Sequence, residues 1–155
     1  MHIDPINNLT WSSSILYKEQ NKNIMKLTIP FYLHKVGAGF PSPATDYIED
    51  DIDLNSHLIT NAPATFIIRV QGKSMMNVGI YHGDLLIVDK SIDPKNFSTV
   101  IANVNEELVV KTLIKEKGVS YLTSGSKKIS DKINLTENPE IVVWGVVTYV
   151  IHKQQ

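Results

Sequence analysis

From Thr65 to the C-terminus, apolar residues come in short runs that alternate with polar ones and stop at turn residues. Thr65–Val70, Leu85–Val88, Thr99–Val104, Leu108–Ile114, Ser120–Thr123 and Ile141–Ile151 each read as a β-strand. Gly83-Asp84, Asp93-Pro94, Asn105-Glu106, Gly118 and Asn138-Pro139 separate them as turns. Short strands at this spacing predict a compact, mainly β, mostly antiparallel domain. The last run, from Val142 to Ile151, is nearly continuous in apolar residues and predicts burial on both faces or a subunit interface.

Before Thr65 the pattern changes. Residues 1–24 are polar, with Asn7-Asn8, Ser12-Ser13-Ser14 and Glu19-Gln20-Asn21-Lys22-Asn23, and predict a flexible tail. Lys26 to Val36 carries apolar residues suited to packing on a surface or a partner chain. Gly37-Ala38-Gly39-Phe40-Pro41-Ser42-Pro43 excludes regular helix and favours an extended or turning segment. Asp46 to Leu58 is acidic but has no accompanying His or glycine-turn ligand pattern, so a short solvated helix or loop is expected rather than a metal site. The expected organisation is a flexible N-terminal arm, residues 1–39, and a β-rich domain, residues 40–155.

Composition narrows the function classes. A chain of 155 residues suits one domain. The absence of cysteine excludes disulfides, a thiol nucleophile and a cysteine zinc site, and fits a cytoplasmic protein. A net charge of −1 with no basic stripe argues against direct duplex DNA binding. Lys127-Lys128 reads as a solvated loop. No apolar run approaches the ~20 residues of a membrane span, and the N-terminus lacks a secretory pattern. The Asn-x-Ser/Thr triplets at Asn8, Asn96 and Asn134 are then chance matches. The five histidines are scattered, and no P-loop or G-x-G-x-x-G occurs, so no metal or cofactor is expected.

Two residues carry candidate chemistry. Ser74 lies just beyond the run Thr65–Val70, after Gly72, where a sheet ends and a hydroxyl can face a cleft. Lys111 sits inside the apolar strand Leu108–Ile114, with Val109 and Leu113 on its own face. A lysine buried among apolar neighbours is driven toward its neutral amine, the form a general base needs. A turn serine beside such a lysine is one known way to activate a weak nucleophile. Taken singly, each has a plainer reading: an ordinary turn serine, and a strand lysine with its head in water.

Gly72-Lys73-Ser74-Met75-Met76, then Gly83-Asp84-Leu85-Leu86-Ile87-Val88-Asp89, then Val109-Val110-Lys111 resemble the LexA/UmuD family of self-cleaving Ser-Lys proteases. Upstream, the segment from Ala38 to Tyr47 resembles the cleavage segment of the UmuD branch. The resemblance runs from about Thr28 to about Ile151. It implies a LexA/UmuD-like protease domain with Ser74 as nucleophile and Lys111 as general base. Cleavage is then expected between Ala38 and Gly39, with the Lys73 and Ser74 backbone N–H groups as oxyanion donors. It further implies a homodimer, triggering by a RecA–single-stranded DNA filament, and a product that serves an error-prone, UmuC-like Y-family DNA polymerase. Residues 1–38 lack the amphipathic periodicity of a three-helix DNA-binding headpiece, which favours the UmuD branch over a repressor. Three alternatives stand beside this reading: a non-catalytic polymerase-binding module, a LexA-type repressor fragment, and a signal peptidase. The last would need a membrane anchor, and usually a proline shortly after the Ser-Met pair, where this chain has Met76-Asn77.

Overall fold

The alternating runs become strands in the computed structural model, which describes residues 29–32, 48–124 and 132–154. The polar tail, the Ala38–Gly39 bond and Lys127-Lys128 lie outside the described residues. The chain divides into two units, residues 1–57 and 58–155. In the first, β1 (Ile29–Tyr32) pairs antiparallel with β2 (Ile48–Ile52), Ile29 opposite Ile52 and Phe31 opposite Asp50. A five-residue helix, α1 (Leu54–Leu58), follows at the boundary. The Asp53 carboxylate starts it, accepting hydrogen bonds from the Asn55 N–H at 3.0 Å and Ser56 Oγ at 2.7 Å. The acidic stretch expected as helix or loop is therefore a strand followed by a short helix. Its strand character comes from pairing with β1, which no local pattern encodes.

In the second unit, all the predicted runs are strands: β3 (Thr65–Arg69), β4 (Leu85–Asp89), β5 (Thr99–Val104), β6 (Glu107–Glu116) and β7 (Val119–Thr123). A two-residue β8 (Ile133–Asn134) and the long β9 (Val142–Ile151) complete the set. They form one antiparallel sheet in the order β3-β4-β9-β5-β6-β7-β8. The protein is thus mainly β, as the alternation predicts.

Two cores flank this sheet. Phe66, Val70, Met75, Ile80, Leu86, Val88 and Ile101 form the first. Val100, Ala102, Leu113, Leu122 and Val146 form the second. The neighbours Val100 and Ile101 belong to different cores, so β5 serves one with each face. Leu86, Ile101, Leu122, Val88 and Val100 are fully buried. Each contributes about 1.5–3 kcal/mol relative to exposure.

β9 departs from a plain ladder. Its pairing skips Trp144 against β5 and Thr148 against β4, two bulges that let it serve both neighbours. Gly145 sits between them, where an added Cβ would come within 2.8 Å of Val88 Cγ1 and 3.1 Å of the Asp89 carbonyl. Only glycine allows β4 that close. Trp144 packs on the first core, with Lys90 Nζ 3.9 Å above its ring. The outer end of β9 is exposed: Tyr149, Val150 and Ile151 are 39–42% accessible. Burial on both faces holds only around Gly145 and Val146.

Candidate active site

Ser74 stands on a tight turn beyond β3. Val70 ends the strand in a reciprocal pair with the loop before β4: its N–H donates to the Asp84 carbonyl at 2.8 Å, and its carbonyl accepts from the Gly83 N–H at 2.9 Å. Gly72 then takes a φ of +104°, a region that L side chains avoid, and its N–H donates to His82 Nδ1 at 3.2 Å. Met75 buries its side chain in the first core, and its carbonyl accepts from the Val78 and Ile80 N–H groups. A 3-10 turn, Met76–Val78, follows. Between these anchors Ser74 remains exposed. Among the described residues, no hydrogen-bond partner is found for the N–H of Lys73 or of Ser74.

Lys111 lies mid-strand in β6, opposite Val100 of β5. By strand alternation it shares a face with Val109 and Leu113, which both pack in the second core. The residue is half-buried. Its Nζ donates to Ser124 Oγ at 2.5 Å.

Ser74 and Lys111 line one cleft of about 390 Å³. Its walls are Ile68, Arg69, Val70, Gln71 and Gly72 from the end of β3, and Glu107 to Lys111 from β6, with Met75 and Ile101 beneath. Apolar and charged side chains thus meet in a trough between a turn and a strand. Such a trough can take an extended chain, with the Ser74 and Lys111 side chains among its lining. The bond between Ala38 and Gly39 lies outside the described residues.

The sequence pattern did not single out Ser124. It looks like the start of a loop, Ser124-Gly125-Ser126. Hairpin register identifies it: pairs run from Glu116 opposite Val119 to Thr112 opposite Thr123, and one more step sets Ser124 abreast of Lys111.

A second polar cluster lies in the loop before β4, whose backbone pairs with Val70. Asp84 is buried, accepts the Tyr81 N–H at 2.8 Å, and lies 2.6 Å from His152 Nδ1. Burial by itself raises its pKa, but the Tyr81 N–H and the hydrogen bond and charge of His152 outweigh that and hold the carboxyl below its ordinary value.

Residues 30–148 match the family described as Peptidase S24-like. The chain is 41% identical over 126 residues to the protein ImpA of Salmonella typhimurium, covering 80% of this chain and 83% of that protein. It is 34% identical over 122 residues to the protein MucA of Escherichia coli, covering 79% and 83%. Against the LexA repressor of Shewanella denitrificans it is 35% identical over 113 residues, which is 72% of this chain and 54% of the repressor. Among the described residues, no helix is long and apolar enough to cross a membrane.

Proposed function

The chain belongs to the Peptidase S24-like family, as a UmuD-like member of the LexA/UmuD group, and from that premise we propose that it is a self-cleaving Ser-Lys peptidase. The observation that carries the reading is the shared cleft: Ser74 and Lys111 both line it, one from a turn and one from a strand. Lys111, as the neutral amine, takes the proton from Ser74 Oγ while that oxygen bonds to the Ala38 carbonyl carbon. The N–H groups of Lys73 and Ser74 stabilise the resulting oxyanion. The C–N bond to Gly39 then breaks, and the Lys111 ammonium returns its proton to the Gly39 nitrogen. Water, deprotonated by Lys111, then attacks the acyl carbon; the ester bond to Ser74 Oγ breaks, the Lys111 ammonium returns its proton to that oxygen, and Ala38 leaves as a carboxylic acid that ionises in water.

The substrate in this reading is the chain's own arm, residues 1–39, joined to the peptidase domain, residues 40–155. Tethering gives a high effective concentration, so recognition need not be tight. Control then lies in whether the arm occupies the cleft. Family membership supports the rest of the proposal: a cytoplasmic homodimer, cleavage stimulated by a RecA–single-stranded DNA filament in the SOS response to DNA damage, and a product that works with a UmuC-like Y-family polymerase.

The test is to incubate the purified full chain at rising pH and weigh the products. A fragment beginning at Gly39, absent from Ser74→Ala, is the expected result. A chain that stays whole at every pH, with and without the filament, would leave a non-catalytic module in its place.

A further inference from the structure

A lysine side chain has four rotatable bonds and little shape of its own, so a general base built from it needs something to fix its amine. Among the described residues, the partner of Lys111 Nζ is Ser124 Oγ, 2.5 Å away in a partly buried setting. The contact is set by the ladder. β6 and β7 pair as far as Thr112 and Thr123, and Ser124 is the next residue on. It therefore meets Lys111 from the adjacent strand, whereas Ser74 approaches the cleft from the turn beyond β3.

The chemistry of this contact suits a base. A hydroxyl both accepts and donates, so Ser124 Oγ can hold Nζ in either protonation state of the lysine. A hydroxyl carries no charge and does not fix the lysine as an ammonium. A carboxylate at the same place would do so, because an opposite charge within reach favours the charged form. We propose that Ser124 is a positioning residue for Lys111, holding the amine in the cleft through its Oγ without neutralising it as a base. This inference rests on the Ser-Lys reading, and its test tells the two apart.

The experiment follows loss of the intact, purified full chain against pH for the parent, Ser124→Ala, Ser124→Thr and Ser124→Asp. Ser74→Ala serves as the blank, and a thermal melt of each variant checks folding. Ser124→Ala should slow cleavage at neutral pH by about 10- to 100-fold, the cost of a misplaced catalytic group, with its melt unchanged. Ser124→Thr should restore most of the rate, since it keeps the hydroxyl. Ser124→Asp should move the rising limb of the rate–pH curve upward by about 1 to 3 pH units. The melt cannot produce that displacement, which separates positioning from mere stability. The proposal is overturned if Ser124→Ala keeps the parent's rate, whatever Ser124→Asp does. It is equally overturned if Ser124→Ala cleaves faster, since the hydroxyl would then restrain the base rather than place it. A parent that cleaves no better than Ser74→Ala removes the Ser-Lys reading and this inference together.

Discussion

Ser74 stands on a turn held by a few contacts, whereas Lys111 stands mid-strand in β6, paired with β5 and one residue beyond the end of the ladder with β7. The turn depends on Gly72, on the Met75 anchor and on the loop that supplies Gly83, Asp84 and His82. The strand depends on β5 and β7, and through them on most of the second core. A ladder residue moves only with its sheet. A turn residue can be remodelled by opening a small, local set of contacts. The proposed base is therefore fixed early in the architecture, and the proposed nucleophile is the more adjustable partner.

The sharpest way to test the contrast leaves the ladder intact and removes the chemistry. Lys111→Arg keeps a long cation in β6, but guanidinium does not deprotonate in proteins. Cleavage should fall by at least roughly 10³-fold while the melting curve stays where it was. Retained cleavage would make Lys111 a strand lysine and nothing more. Next in size is the turn's own anchor. Met75→Ala empties a buried site in the first core and should cost about 2–5 kcal/mol in denaturant unfolding. If the turn is as local as its contacts indicate, hydrogen exchange should rise first at Val78 and Ile80, whose N–H groups bond the Met75 carbonyl.

Gly145→Ala addresses the strand side. The added Cβ meets Val88 and the Asp89 backbone, so β4 and β9 must part slightly, at a cost of about 1–3 kcal/mol. Here the loss should spread across the sheet, and exchange confined to one loop would contradict the ladder's cooperativity. The smallest effect concerns acid. The Asp84 pKa is lowered in the folded chain from a reference of 3.8, so its carboxylate adds stability above that value. The contribution is lost as pH falls through 3.8 toward the folded pKa. Asp84→Asn should flatten that acid limb of the stability curve, measured by urea midpoints between neutral pH and strong acid. An unchanged slope would show that the Asp84 carboxylate and its contact with His152 add nothing to folded stability.

Much of this was legible in the sequence, for physical reasons. Thr65–Arg69 and Leu85–Asp89 alternate or run apolar between turn residues, and such patterns survive in any antiparallel sheet. Lys111 stood out because one cation broke an apolar run. Ile48–Ile52 did not read as a strand, because three acidic residues in succession look solvated until Ile29–Tyr32 is found opposite them. β8 is two residues long, below any periodic signal. The bulges at Trp144 and Thr148 shift which side chains face inward, so the apolar run in β9 overstated its burial. Ser124 needed a register count from the turn at Lys117-Gly118, a relation between strands that residue type alone does not show.

The placement of Trp144 also has a practical use. The chain has two tryptophans, Trp11 and Trp144. Trp144 sits against the first core with the Lys90 ammonium close over its indole ring, an electrostatic setting that an unfolded or water-exposed indole lacks. Trp11 belongs to the segment that a cut after Ala38 would detach. The two fluorophores therefore fall on opposite sides of the proposed bond, and emission from the separated pieces would follow processing optically, with no dye attached.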